Sequence, residues 1–104
     1  MIGEGMGKLV RDKIPEIIEA DGKTPITRIL EQDEYLSELD RKLNEEVAEY
    51  QSDKSLEEMA DVLEVLFTIC EGRGYSIEDL MATKQKKQEE RGGFQKRIFW
   101  EGNK

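Results

Sequence analysis

The 104-residue chain contains no histidine, one cysteine, two prolines and one tryptophan. Without histidine it lacks the commonest general base at neutral pH and the commonest protein ligand of zinc and iron. The lone Cys70 cannot form a disulfide within the chain, and its place on an apolar helix face favours a small buried side chain over a nucleophile.

The acidic balance of the chain, with a net charge of −8, argues against an extended nucleic-acid surface. No apolar run approaches the roughly 18 residues that span a membrane, and no signal peptide is visible, so we expect no membrane partner and a cytoplasmic location. Basic residues form a cluster near each end of the chain, which leaves a small anionic ligand open as a partner. The first cluster contains Lys8, Arg11 and Lys13, and the second contains Lys84, Lys86, Lys87, Arg91, Lys96 and Arg97.

Apolar residues recur at steps of three and four over most of the chain, which predicts an all-α fold. The expected helices cover residues 33–50, 55–71 and 76–90, with a shorter one from Pro15 to Ala20. Residues 23–30 read either as an extended stretch or as an irregular packed segment.

The two longest predicted helices are joined by a turn at residues 51–54, so they form an antiparallel hairpin. Apolar residues cover well over half the circumference of helix 55–71, which indicates burial by more than one neighbour. In so short a chain, some of these neighbours are expected from a second subunit. We therefore predict one domain over residues 8–100, with a four-helix-bundle-like core that is completed by oligomerisation as a homodimer or homotetramer. Residues 1–7 are expected to be disordered or partly left over from an expression vector.

Four acidic residues flank the predicted turn symmetrically: Glu46 and Glu49 before it, Glu58 and Asp61 after it. In an antiparallel hairpin Glu49 would lie level with Glu58, and Glu46 level with Asp61, because both pairs share one midpoint. Four carboxylates at one height repel each other unless a cation lies between them. A hard divalent ion that prefers oxygen ligands, Mg²⁺ or Mn²⁺, fits this set.

The alternative is that these carboxylates are solvated surface, and that Glu58 only caps its helix in the pattern Ser55-x-x-Glu58. Two observations favour a metal. Glu58 falls inside the apolar arc of its helix, where a carboxylate needs a partner or becomes protonated. Glu45, Glu46 and Glu49 crowd the predicted last two turns of the first long helix, where the helix dipole disfavours negative charge by a few tenths to about 1 kcal/mol each.

Segments 45–49 (EEVAE) and 58–61 (EMAD) together have the form E-E-x-x-E … E-x-x-D, which resembles the MazG-like all-α nucleotide pyrophosphohydrolase superfamily. That superfamily includes dimeric dUTPases, dCTP pyrophosphatases and phosphoribosyl-ATP pyrophosphohydrolase. Segments 8–15 (KLVRDKIP) and 91–94 (RGGF) resemble parts of a MazG-like subgroup, so the likeness extends over about residues 8–99.

The resemblance implies an enzyme that hydrolyses a nucleoside triphosphate between the α and β phosphates, giving a monophosphate and pyrophosphate, in nucleotide-pool house-cleaning. It implies Mg²⁺ bound by Glu46, Glu49, Glu58 and Asp61. Glu45 would be an outer ligand, a ligand of a second metal or the activator of a water. With no histidine available, either Glu49 or Glu45 is the general base. The interval between Glu49 and Glu58 is shorter than in many family members and fits a minimal hairpin.

Basic and aromatic residues supply the candidates for substrate binding. Lys84, Lys87 and Arg91 recur on one face of helix 76–90, as either a phosphate clamp or solvated surface. The second candidates for the triphosphate are Arg11 and Lys13. In the same region Phe94 either stacks on a nucleobase or packs in the core, and the apolar tail 98–100 is expected in the core or at an interface.

Two alternative functions stay open at this point. Phosphoribosyl-ATP pyrophosphohydrolase of histidine biosynthesis would apply the same chemistry to a biosynthetic substrate. A non-catalytic helical dimer would keep the metal site only for structure or regulation.

Overall fold

A computed structural model describes residues 7–104 of the chain, and over these residues the fold is all-α with no β-strand. The helices are α1 (Ile14–Ala20), α2 (Gln32–Asp53), α3 (Leu56–Gly72) and α4 (Ile77–Arg91). The predicted fold class is therefore confirmed. Of the segment predicted to be disordered, residues 1–6 lie outside the described residues, and Gly7 is exposed and outside any helix.

Helices α2 and α3 form the predicted antiparallel hairpin, but the turn is shorter than predicted. Residues 51–53 continue α2, because none of them is a glycine or proline that would end a helix. Lys54 ends α2 in the left-handed conformation, with φ of 55°, and its N–H donates to the carbonyl of Tyr50 at 2.7 Å. Ser55 then caps α3 by accepting from the N–H of Glu58 at 3.2 Å. The turn is thus two residues, which fixes the register of the hairpin tightly.

The far end of the hairpin is held by a close approach between α3 and the start of α2. A Cβ atom at Gly72 would lie 3.2 Å from Cδ2 of Leu36, so the helices meet where a glycine leaves room. The carbonyl of Gly72 accepts from Nε2 of Gln32 at 3.0 Å. The small core lies between the two helices, where Leu39 and Val65 are buried. Cys70 is buried too, as predicted.

The chain is elongated, with extents of 61 × 31 × 25 Å and a radius of gyration of 18.2 Å. A compact domain of this length has a radius of gyration of about 13 Å. Helix α4 packs only against α3, and α1 packs against no other helix of the described chain. One copy of the chain therefore does not enclose its own apolar surface.

The apolar face of α3 shows this directly, since Leu56, Met59, Leu63 and Leu66 are exposed. Within one copy α3 has two neighbours, α2 and α4, but they leave these side chains exposed, and completion of the core by a second subunit stays a prediction. Ile26 and Ile29 are exposed, so residues 23–30 are irregular and not packed through these side chains. The interpretation of Phe94 as a core residue is wrong for the single chain, because its side chain is 95% exposed.

The apolar tail at residues 98–100 is exposed, as Phe94 is. Ile98, Phe99 and Trp100 are each at least 75% exposed, so the tail is not part of the core of one copy.

Among the helices between residues 7 and 104, none combines the length and the apolarity needed to cross a lipid bilayer.

Candidate metal centre

Three carboxylates converge beside the turn of the hairpin. Glu46, Glu58 and Asp61 each offer one oxygen, and these oxygens all lie within 4.8 Å of one another. Glu46 comes from α2, whereas Glu58 and Asp61 lie one turn apart on α3, on the side that faces α2. The tight turn brings the two helices level here, as the symmetric spacing around the turn predicts.

The most deeply buried acidic residue is Glu46 and not Glu58, which was expected inside the apolar arc of its helix. Glu46 is the most deeply buried, with 6% of its surface exposed, whereas Glu58 and Asp61 are half-buried and Glu49 is exposed. The angular pattern of a single helix does not include the cover that α3 gives to the flank of α2. The helix dipole argument is also weaker than expected, since α2 continues to Asp53 and the dipole acts mainly within the last turn.

Two carboxylate oxygens in this site are buried and have no hydrogen-bond partner in the described chain. They are Oε2 of Glu46 and Oε2 of Glu58. Leaving a buried polar atom unpaired costs about 1 to 3 kcal/mol, and more when the group is charged. Unpaired oxygens on neighbouring carboxylates are therefore the arrangement that a bound cation would relieve.

Lys42 is a member of the acidic site that the sequence interpretation missed. Its Nζ lies 3.0 Å from Oε1 of Glu46 and 3.3 Å from Oε1 of Glu45, so one largely buried lysine neutralises part of the acidic cluster. Glu45 is also 3.5 Å from Nζ of Lys8. The signal was present in the sequence, because Lys42 precedes Glu46 by four positions and such pairs meet on one helix face.

The charges of the cluster act on one another. The negative charge of Glu46 is the main cause that raises the pKa of Glu49 above its usual value. Loss of hydration raises the pKa of Glu58 first, and the charges of Asp61, Asp53 and Glu46 add to this. Both raised pKa values mean that ionisation of these carboxylates costs free energy when no cation is present.

The N-terminal basic segment lies against the same site. Arg11 donates from Nη2 to Oδ1 of Asp61 at 2.6 Å, although the two residues are 50 positions apart. Arg11 and Lys13 line an open cleft of about 390 Å³ together with Lys42, Glu46 and Asp61. The fold thus brings both Arg11 and Lys13 to the acidic site. Arg11 pairs with Asp61, but Lys13 forms no ion pair in the part of the chain that the structure describes.

The other substrate-binding candidates are not brought to the site within one copy. Lys84 lines a groove of about 600 Å³ between α3 and α4 with Leu66 and other apolar residues. At about 100° per residue, Leu66 lies roughly 140° around α3 from Asp61. Lys87, Arg91 and Phe94 are exposed, and α4 does not pack against α2.

The donor set suits a hard divalent cation. All the convergent atoms are carboxylate oxygens, and Mg²⁺ and Mn²⁺ prefer such ligands, with waters or phosphate oxygens completing the coordination. Two of the contributing residues carry a buried oxygen without a partner, so the residues present fit the ion. Glu49 is exposed and lies next to these three carboxylates. Glu45 instead forms ion pairs with Lys42 and Lys8.

Comparison with known proteins gives one relative and no family. An uncharacterized protein of Mycolicibacterium smegmatis is 61% identical over 44 residues, which is 42% of this chain and 45% of that protein. The match thus spans less than half the length of the relative. No protein-family description matches the chain, and no solved structure matches it.

Proposed function

We propose that the chain is a Mg²⁺-dependent nucleotide pyrophosphohydrolase of MazG-like type. It would cleave a nucleoside triphosphate between the α and β phosphates and release a nucleoside monophosphate and pyrophosphate. The observation that carries this proposal is the buried Glu46, whose Oε2 has no partner among residues 7–104 and whose carboxylate converges with those of Glu58 and Asp61. The E-E-x-x-E … E-x-x-D pattern supports the same reaction.

Glu46, Glu58 and Asp61 would hold the ion, with Glu49 at the exposed edge of the set. When bound, Mg²⁺ (or Mn²⁺) supplies neutralisation of phosphate oxygens and orientation of the attacking water. The largely buried Lys42 leaves the cluster with less negative charge than its carboxylates alone would have, which suits one divalent ion better than two. Cleavage replaces the α–β anhydride bond by a bond from phosphorus to the water oxygen, and a proton must leave that water.

Glu49 is our choice for the residue that accepts this proton. Its carboxylate is exposed, and the charge of Glu46 raises its pKa above the usual value, so it holds a proton more readily than an ordinary glutamate. Glu45 is occupied by Lys42 and Lys8 at 3.3 and 3.5 Å, and two neighbouring cations make a carboxylate a poorer base. We therefore assign the general base to Glu49 and a supporting role to Glu45.

The phosphates would be bound by basic residues from two directions. Arg11 and Lys13 lie in the acidic cleft of the same copy. Lys84, Lys87 and Arg91, with Phe94 for the base, are on the other side of α3, so they would serve a site only in an oligomer. The exposed apolar face of α3 and the large radius of gyration support such an assembly, which would be a homodimer or homotetramer.

The test is a screen for pyrophosphate release across nucleotides in the presence of Mg²⁺. The proposal expects equal amounts of monophosphate and pyrophosphate from at least one nucleoside triphosphate. Turnover of phosphoribosyl-ATP alone would assign the chain to histidine biosynthesis. Metal binding without turnover of any nucleotide would identify a non-catalytic helical dimer.

A further inference from the structure

The segment before α1 is fastened onto the acidic cleft by two ion pairs. Arg11 reaches Oδ1 of Asp61 at 2.6 Å, and Lys8 lies 3.5 Å from Oε1 of Glu45. The residues between and after them, from Leu9 to Lys13, line the cleft itself. A positive charge from a distant part of the sequence therefore already occupies one of the carboxylates that would bind the ion.

Arg11 and Lys42 differ in how easily each can leave the site. Lys42 is part of α2 and its side chain is only 17% exposed, so it is fixed in the hairpin. Arg11 lies outside any helix with 56% of its side chain exposed, and the α1 helix that follows packs against no other helix in the described chain. Its bond to Asp61 can therefore open without disturbing the pairing of α2 and α3.

We propose that Arg11 is an exchangeable counter-ion: it pairs with Asp61 while metal is absent, and a divalent cation displaces it and frees its guanidinium for a phosphate. This inference rests on the metal site of the proposed function. The exchange is expected because Arg11 and the ion neutralise the same carboxylate, so each weakens the binding of the other. A guanidinium matches phosphate as well as carboxylate, with five N–H donors in a planar fork. The segment would thus couple metal binding to phosphate binding.

The exchange can be followed on Arg11 itself by ¹⁵N NMR of arginine side chains, without any turnover. The signal is assigned by its loss in Arg11→Lys, and Asp61→Asn supplies the reference for an unpaired Arg11. We expect a paired, slowly rotating guanidinium in the metal-free protein. Saturating Mg²⁺ should move the signal to its position in Asp61→Asn, and inorganic pyrophosphate added with Mg²⁺ should move it away again. A signal that stays in place while calorimetry records bound Mg²⁺ would overturn the proposal.

Calorimetry of two variants separates a specific exchange from a general loss of positive charge. Arg11→Gln should tighten Mg²⁺ binding about two- to fivefold, the size of an exposed ion pair, whereas Lys13→Gln should change it less. Equal effects of the two variants, or weaker binding in Arg11→Gln, would contradict the exchange. Failure of the wild type to bind Mg²⁺ would overturn this inference together with the metal site. Exchange on Mg²⁺ without turnover of any nucleotide would remove the proposed reaction and leave the exchange standing.

Discussion

The Nζ atom of Lys42 lies 3.0 Å from Oε1 of Glu46, four residues later on α2, and both side chains are largely buried. The other oxygen of Glu46 has no partner in the described part of the chain. This half-satisfied pair sets the character of the site. The lysine is a permanent cation that holds Glu46 in place, and the carboxylate of Glu46 converges with those of Glu58 and Asp61 on α3.

Lys42→Gln should destabilise the metal-free protein by about 2 kcal/mol. Breaking a fully buried ion pair costs about 3 to 5 kcal/mol, and the remaining exposure of Lys42 reduces that cost. Chemical denaturation measures the loss, with Arg41→Gln as the control because Arg41 is a largely exposed neighbour paired weakly with Glu38 at 3.7 Å. Saturating Mg²⁺ should restore part of the stability of Lys42→Gln, because the ion supplies the missing charge. A loss no larger than that of Arg41→Gln would contradict the role given to Lys42.

Glu49→Gln should lower kcat by roughly 10² to 10⁴-fold, the usual contribution of a general base, with a much smaller effect on Mg²⁺ affinity. Glu45→Gln should lower kcat less than about tenfold, because that carboxylate is engaged by two lysines. Steady-state kinetics and calorimetry on the same preparations provide both quantities. The reverse ranking of the two variants would move the base to Glu45.

Stability of the metal-free protein should depend on pH through the carboxylates with raised pKa. Glu58 binds its proton more tightly in the folded state, so its charge costs stability above the raised pKa, and this cost disappears as pH falls towards the ordinary value of 4.5. Glu58→Gln should therefore melt at a higher temperature than the wild type at pH 7.5, and the difference should shrink towards pH 4.5.

Glu34 provides the matched comparison, because a hydrogen bond and the charge of Arg28 lower its pKa. A lowered pKa means that stability is present above the ordinary value and is lost as pH falls through the folded value. Glu34→Gln should therefore be no more stable than the wild type at pH 7.5. Thermal melts in metal-free buffers of equal ionic strength measure both variants. A wild type that is more stable than Glu58→Gln at pH 7.5 would refute the proposed repulsion.

How well the sequence predicts each contact of this site depends on how far apart the two residues are along the chain. The convergence of Glu46 with Glu58 and Asp61 was predictable, because a short turn fixes which residues of a hairpin lie level. The pairing of Lys42 was readable from its spacing but was overlooked. Arg11 reaches Asp61 across 50 positions, and no local pattern specifies which of several exposed cations makes such a contact.

The same reasoning explains what the sequence predicted about the fold. Periodicity placed the helices, and Ser55 was recognised as a cap, which the structure confirms with the N–H of Glu58 donating to its Oγ at 3.2 Å. The end of α2 was placed three residues early, because a left-handed Lys54 has no distinctive sequence signal. The expected burial of Phe94 was wrong for one copy, since hydrophobicity does not say which molecule covers a side chain.

Leu66→Glu should dissociate the proposed oligomer, since it would place a charge in the exposed apolar face of α3. Leu66 is 41% exposed in one copy and lines the groove between α3 and α4. Light scattering after gel filtration measures the mass, and circular dichroism should show that the helices remain. Ile26→Glu is the control, because Ile26 is an exposed apolar residue outside α3 and α4. A monomeric wild type, or equal effects of both changes, would contradict the proposed interface.

The most direct measurement is the product analysis by ³¹P NMR of nucleoside triphosphates incubated with the protein and Mg²⁺. The account predicts that wild type forms pyrophosphate and monophosphate in equal amounts, and that Glu46→Gln with Glu58→Gln forms neither while keeping its helices. Glu57→Gln, an exposed neighbour of Glu58, should retain full activity. Release of orthophosphate alone, unchanged activity in the double variant, or no product from any nucleotide with metal bound would contradict the account.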